Sequence, residues 1–143
     1  MYSCTFIGHH NAPETIKPYL KSQIINLIKN QNVNTFYFGT HGNFDFMVKK
    51  TLTALQRDYP QINIHEVFAY LPPKDEFCDY TNTIYPDIEK VPLKYAITER
   101  NKWMIKNSDY LICYVTNTTT NSYNFLYFAR KKNKKIINLF DML

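Results

Sequence analysis

The stretch YLICYV, residues 110–115, is apolar at every position and is followed at once by a polar loop, TNTTTN. A strand with one solvent-facing side alternates apolar and polar residues, whereas a strand of a parallel sheet is covered on both faces. YLICYV shows no such alternation. It therefore predicts a central strand of a parallel sheet with helices packed on both sides.

Strand-like runs alternate with helical patterns along the rest of the chain. Further apolar runs, rich in aromatic or β-branched residues, cover residues 2–8, 34–39, 63–69 and 135–139, and most of them are separated by apolar residues at helical spacing. This alternation predicts a doubly wound α/β fold of Rossmann-like, three-layer type. We expect a mainly parallel, five-stranded sheet of order 3-2-1-4-5 within a single domain, residues 1–143.

Composition limits the class of protein. The chain has 143 residues, of which 45% are hydrophobic and 16% aromatic, enough for one buried core. It shows neither a membrane-spanning apolar run nor a signal-peptide pattern, so we expect a cytoplasmic protein with no membrane partner. The three cysteines have no metal-ligand spacing, and the loop histidines His9, His10 and His41 lack carboxylates or cysteines to complete a ligand set. The sequence therefore predicts no metal and no cofactor.

The net charge of +5 is compatible with an anionic partner. Much of the excess lies in ARKKNKK, residues 129–135. This run is typical of a solvated helix C-terminus, where cations face the negative end of the helix dipole, and a nucleic-acid patch is the alternative. Because the run precedes the last strand, we expect it at the amino edge of the sheet.

All three glycines follow strand-like runs. Gly8 closes CTFIGHH, and Gly39 and Gly42 lie in FYFGTHGNFD, residues 36–45. Glycine permits backbone conformations closed to other residues and lets a ligand approach the main chain, while the next helix offers free N–H groups to an anion. Strand-to-helix turns also use glycine without any ligand. The spacing alone leaves both interpretations open.

The loop after YLICYV adds polar groups at the same edge. Its hydroxyl and amide side chains stand where a phosphate or ribose lies in doubly wound folds, although they also suit a helix N-cap. Arg100 can bind phosphate through two parallel hydrogen bonds, and we expect its side chain at the rim of the site. The candidate ligand-binding residues are Gly8, His9, Gly39, Thr40, His41, Gly42, Asp45, Arg100, Asn101, Thr116, Asn117, Thr118, Thr119, Thr120 and Asn121.

Four segments together resemble the SLOG superfamily, in particular its small single-domain bacterial branch of YpsA type. They read CTFIGHH, FYFGTHGNFD, TIYPDIEKVPLKYAITERNKWMIKNSDYLICYV and KKNKKIINL. The resemblance implies a doubly wound sheet that binds nucleotides or nucleotide-derived ligands. Relatives include the Lonely Guy phosphoribohydrolases, which cleave nucleotide N-glycosidic bonds, and DprA, which binds single-stranded DNA.

The loop departs from the Lonely Guy pattern. By that resemblance Arg100 matches the arginine before the phosphate loop, and Ser108 and Asp109 match the SD before the strand. Those enzymes carry PGGxGTxxE, whereas this chain reads TNTTTNSYN, with Asn124 in place of the glutamate. An amide neither exchanges a proton as a carboxylate does nor stabilises an oxocarbenium-like centre by charge. Ligand binding is compatible with this change, whereas cleavage of that type is not expected.

Three functions follow, in order of preference. The first is a nucleotide-binding sensor or carrier domain, and self-association of such a domain is left open. The second is a hydrolase of nucleotide N-glycosidic bonds that uses another carboxylate. The third is a single-stranded DNA binder with exposed tyrosines.

Residues 71–92 predict a long functional loop, because they hold four of the seven prolines and show no clear helical or strand period. The candidate carboxylates are Asp45, Asp79, Asp87 and Glu89, and the candidate stacking residues are Tyr80 and Tyr85.

Overall fold

A computed structural model describes residues 2–70, 82–86, 88, 91–116 and 121–143. In this part of the chain six strands form one sheet in which every neighbouring pair is parallel. The order across the sheet is β4-β3-β2-β1-β5-β6. The strands are β1 (Tyr2–Gly8), β2 (Val33–Phe38), β3 (Asn63–Val67), β4 (Thr83–Ile84), β5 (Tyr110–Tyr114) and β6 (Lys135–Asn138).

Four helices connect the strands: α1 (Lys17–Asn30), α2 (Gly42–Asp58), α3 (Ala96–Lys106) and α4 (Asn121–Lys131). Each buries an apolar stripe at helical spacing, as Leu20, Ile24 and Leu27 do in α1. Pro18 lies in the first turn of α1, where its missing N–H has no intrahelical partner to lose.

The sheet separates two apolar layers. Helices α1 and α2 pack with Cys4 and Phe6 on one face, and α3 and α4 pack with Ile7 and Cys113 on the other. Phe6 and Ile7 are adjacent in β1 but belong to different layers because successive strand side chains point to opposite faces. All five residues of β5 are buried, which confirms the prediction from YLICYV.

The doubly wound α/β class is confirmed, and the strand count is corrected from five to six. The additional strand, β4, has two residues and pairs with Glu66 and Val67 at the edge of the sheet. A pair of residues cannot show a strand period, so the segment carried no signal of its own. The other five strands lie in the predicted relative order.

Candidate functional site at the carboxyl edge

The strand order reverses between β1 and β5. From β1 the sheet continues through β2, β3 and β4 to one edge, and from β5 it continues to β6 at the other edge. Open parallel sheets bind ligands at this point, beyond the carboxyl ends of the strands. A pocket of about 250 Å³ lies here, and we call it the edge pocket. Its described lining consists of Phe6, Ile7, Gly8, His10, His41, Asp45, Lys94, Ile97, Thr98, Arg100, Asn101, Asn121, Ser122 and Phe125.

Arg100 is the buried cation of the edge pocket. Only 2% of its surface is exposed, so the expectation of a side chain at the rim is wrong. Its Nη1 donates to the Val67 carbonyl at 3.0 Å, and its Nε donates to Oδ1 of Asn101 at 2.7 Å. Burial lowers the pKa of the guanidinium from its ordinary value, while the Asp45 carboxylate opposes that shift. The two bonds fix the side chain and use two of its five N–H donors.

Asp45 is the partly buried carboxyl group of the edge pocket. Burial raises its pKa from the ordinary value of 3.8 to about 6, although the His41 amide and Arg100 favour the charged form. Its Oδ2 accepts the His41 N–H at 3.0 Å. Helix α2 begins one residue later, at Gly42, so this bond satisfies an N–H at the helix start. The carboxyl group both shapes the turn and faces the pocket.

Two glycines of FYFGTHGNFD are required by this geometry. A Cβ at Gly39 would lie 2.8 Å from Cζ of Arg100 and 2.8 Å from Oδ2 of Asp45, so the backbone here directly adjoins both charged groups. Gly42 has a φ of +89°, in the region that favours glycine, and a Cβ there would lie 2.7 Å from Nδ1 of His10. The backbone at Gly42 thus favours glycine with or without a ligand, so both interpretations of the glycine spacing stay open.

His9 joins the loops after β1 and β5. Its Nε2 accepts the Thr116 N–H at 3.0 Å and lies 3.1 Å from the Thr116 hydroxyl. Burial lowers the pKa of His9, and the neighbouring His10 adds to that shift, which favours the neutral ring that an acceptor role needs. His9 and Thr116 therefore support the edge of the site and are not among the described lining of the edge pocket.

The predicted candidates fall into four groups, the first of which is the pair His9 and Thr116 outside the described lining of the edge pocket. Those in the edge pocket are Gly8, His41, Asp45, Arg100, Asn101 and Asn121. Gly39, Thr40 and Gly42 line a neighbouring depression of about 120 Å³ that shares Asp45 with the edge pocket. Outside the described residues lie Asn117, Thr118, Thr119 and Thr120, together with Asp79, Tyr80, Asp87 and Glu89 of the predicted functional loop.

Four polar pocket residues were not among the candidates: His10, Lys94, Thr98 and Ser122. His10 and Ser122 are next to predicted candidates in the sequence. Their positions beside strand-end loops could therefore have identified them as pocket residues. Lys94 lies two residues before α3 and Thr98 in its first turn, well after Ile84, the last described strand residue before them. Only the packing of α3 against β1 brings them to the pocket.

The charges of the edge pocket favour an anion. Among the described lining residues, Arg100 and Lys94 contribute two cations against the one carboxyl group of Asp45. Asn121 and Ser122 begin α4, where the positive end of the helix dipole adds to the attraction. Burial also lowers the pKa of His41, and nearby Arg100 adds to the shift.

Clusters of metal ligands and membrane-spanning helices are both absent from the described residues. In that part of the chain no three His, Cys, Asp or Glu side chains lie close enough to bind a metal ion together. None of its helices combines the length and hydropathy that crossing a bilayer requires. Cys4 and Cys113, the two described cysteines, are free and buried.

The six parallel strands form a Rossmann-like sheet, and the fold is similar to that of DprA. The chain matches the structure of DNA processing protein A from Helicobacter pylori with a TM-score of 0.66 at 16% identity, over 94% of this chain and 63% of that chain. That structure concerns the single-stranded DNA binding mode of the protein.

A second DprA structure agrees. The match to DprA from Streptococcus pneumoniae has a TM-score of 0.68 at 15% identity and covers 95% of this chain but 49% of that chain. The chain thus spans 63% and 49% of the lengths of these two chains, and the likeness establishes the fold. Comparison of the sequence with family models and with curated proteins finds no match.

Proposed function

We propose that this chain binds a nucleotide or a nucleotide-derived small molecule in the edge pocket, as a sensor or carrier domain. The observation that carries the proposal is the buried Arg100 guanidinium at the strand-order reversal, beside the first residues of α4. A buried cation needs partners, and the two side-chain hydrogen bonds that Arg100 makes with described residues account for two of its five donors.

The lining offers a separate place for each part of such a ligand. A phosphate group suits Arg100, Lys94 and the start of α4, because charge-assisted hydrogen bonds contribute about 1.5–3 kcal/mol each. The Asn101 amide and the Thr98 hydroxyl suit the hydroxyl groups of a sugar. Apolar contact with a base or a sugar face is available from Ile7, Ile97 and Phe125.

A hydrolase of nucleotide N-glycosidic bonds is the second candidate, and Asp45 is the observation in its favour. A carboxyl group with a pKa of about 6 is protonated in a larger fraction of molecules near neutral pH than an ordinary aspartate, which favours a role as general acid. Its other role, the acceptance of the His41 amide, explains the position of Asp45 without catalysis. Binding without cleavage therefore remains the first proposal.

Single-stranded DNA is the third candidate, because the fold resembles DprA and the Helicobacter pylori protein binds such DNA. A pocket of about 250 Å³ suits one nucleotide unit better than a strand. Tyr85, one of the two tyrosines considered for stacking, is half-buried and lines a different pocket, beside Tyr70.

Calorimetric titration with AMP, ADP and NAD tests the proposal, with chromatographic detection of released base. We expect at least one of these probes to bind, and Lys94→Gln to weaken it by about tenfold, the loss of one charge-assisted contact. Lys17→Gln, an exposed lysine on α1, is the matched control. Binding that is unaffected by Lys94→Gln would exclude the edge pocket, and base release that is abolished by Asp45→Asn would favour the hydrolase.

A further inference from the structure

We infer that a second surface, formed by the C-terminal ends of α3 and α4, binds the phosphodiester backbone of a nucleic acid without reading its bases. We call it the basic face. It comprises six of the chain's 17 lysines and arginines: Lys102, Lys106, Lys131, Lys132, Lys134 and Lys135. All six are exposed or half-exposed.

Lysines from two helices converge at the centre of this face. Lys102 of α3 and Lys132, just after α4, both place Nζ over the Phe128 ring, at 5.8 Å and 5.7 Å from its centroid. Lys134 Nζ lies 3.4 Å from the Lys106 carbonyl and donates to it. Residues that are 28 and 30 positions apart in sequence are thus brought together on this face.

Two further lysines of the face also lie over aromatic rings. Lys131 lies over the Tyr127 ring at 4.7 Å from its centroid, and Lys135 lies over Tyr110 at 5.3 Å. Contact with an aromatic ring restricts a long side chain that would otherwise sample many rotamers. The ammonium groups are therefore partly ordered before any partner arrives.

Few acidic groups oppose these cations. Among the described residues Glu99 is the acid paired with the face, at 4.0 Å from Lys102. Asp109 also lies at this edge, where its Oδ2 accepts the Ser3 N–H at 3.0 Å. The helix dipole accounts for cations at a helix end, as the sequence pattern suggested. The helix dipole alone does not require six lysines on the adjoining ends of two helices and a strand.

The basic face is distinct from the edge pocket. Helix α4 begins with Asn121 at the pocket and ends with Lys131 on the face, and its 11 residues span about 16 Å. Lys135 begins β6, so the face lies at the amino edge of the sheet. The predicted position of the basic run is confirmed. Occupation of one site therefore leaves the other open.

The composition of the face favours phosphate backbone over other anionic surfaces. Protein interfaces are depleted in lysine, and their cores exclude charge. A bilayer-binding surface needs apolar side chains free to insert, whereas the half-buried Phe128 ring has ammonium groups of Lys102 and Lys132 above it. Nucleic acid bound without base readout needs ordered cations spaced along a surface.

Fluorescence anisotropy with a labelled 20-nucleotide DNA strand, the same strand of RNA, and the DNA duplex tests the inference. We expect all three to bind, with little sequence preference and a steep decrease in affinity as salt increases. The double variant Lys102→Gln, Lys132→Gln should lower the slope of log affinity against log salt by about 2, which corresponds to two lost phosphate contacts. The three probes show whether single strands or duplexes are preferred.

The control removes the same charge elsewhere. Lys17→Gln with Lys21→Gln changes two exposed lysines of α1, in the opposite layer, and should leave binding and its salt slope close to those of the unmodified chain. Equal loss in both double variants would overturn the inference, because net charge alone would then explain binding. Tighter binding to anionic phospholipid vesicles than to any nucleic acid would also overturn it.

The Lys94→Gln variant, measured in the same anisotropy assay, distinguishes nucleic-acid binding at the basic face from binding at the edge pocket. Loss of nucleic-acid binding in Lys94→Gln would assign the nucleic acid to the edge pocket and refute the basic face. Undiminished binding in that variant supports the inference whatever the outcome of the nucleotide titrations.

Discussion

At Gly39 the main chain adjoins two charged side chains that come from α2 and α3. A Cβ there would lie 2.8 Å from Cζ of Arg100 and from Oδ2 of Asp45. Gly39→Ala should therefore displace the guanidinium from the Val67 carbonyl and destabilise the fold by about 1–3 kcal/mol, the usual cost of an added group in a packed site. Urea denaturation measures the change.

Thr40→Ala, in the same turn, is the control for Gly39→Ala. The Thr40 side chain is half-buried and contacts His41, so its removal should cost less than the substitution at Gly39. Equal stability of Gly39→Ala and the unmodified protein would show that Arg100 is not held in the position described.

Asp45 gives the stability a specific dependence on pH. Its folded-state pKa of about 6 lies above the ordinary 3.8, so the folded protein holds this proton more tightly than the unfolded chain does. The contribution of Asp45 is therefore most favourable below about pH 4 and is lost as the pH rises through 6. Linkage limits the loss to about 3 kcal/mol, and residual solvent contact reduces it.

Urea denaturation of the unmodified protein and Asp45→Asn from pH 4 to pH 7.5 tests this dependence. The free energy of unfolding should fall relative to that of Asp45→Asn across this range. Asp58→Asn, an exposed carboxylate at the end of α2, controls for loss of a charge on the same helix. A constant difference between the unmodified protein and Asp45→Asn would contradict the raised pKa.

At the residue scale the sequence predicted which residues belong to the site better than it predicted how buried their side chains are. Arg100 was selected because an arginine before a polar strand-end loop suits a phosphate. Its burial depends on the Val67 carbonyl, which lies 33 positions away and reaches it only in the folded sheet. The glycines were easier to interpret because their constraint is local, as the φ of +89° at Gly42 illustrates.

At the scale of elements, the bond between His9 and Thr116 connects the segment after β1 to the segment after β5. Its loss in His9→Ala should cost about 1 kcal/mol and increase amide hydrogen exchange at Thr116 several-fold. The Ile112 amide, in the middle of β5, serves as the internal reference because its strand is paired on both sides. Unchanged exchange at Thr116 would show that the loops are held by other contacts.

Elements long enough to show a recognisable pattern of apolar residues could be predicted from the sequence, and shorter ones could not. β5 was recognisable because five consecutive apolar residues indicate burial on both faces. β4 has two residues and exists because Glu66 and Val67 offer an open strand edge, which is a tertiary condition. The edge pocket followed from topology for the loops after β1, β2 and β5, whereas the contribution of Lys94 depends on how α3 packs.

At the scale of the molecule, the sheet couples two helical layers that do not share a core. Ile24 of α1 is fully buried in one layer, and Trp103, the single tryptophan, lies half-buried in the other, with its ring centroid 5.6 Å from that of Tyr37. Both layers cover the same strands. A cavity in the first layer should therefore weaken the second to the same extent, because small single domains usually unfold in one transition.

Ile24→Ala tests this coupling, since deletion of a buried isoleucine side chain to alanine costs about 2–5 kcal/mol. Trp103 fluorescence, which reports the α3 and α4 layer, should shift its urea midpoint by the same amount as far-UV circular dichroism, which reports all helices. Lys21→Ala, on the exposed side of α1, should move neither midpoint appreciably. If Ile24→Ala moved the dichroism midpoint and left that of Trp103 in place, the two layers would unfold separately. The edge pocket, which draws Asp45 from one layer and Arg100 from the other, could then open without global unfolding.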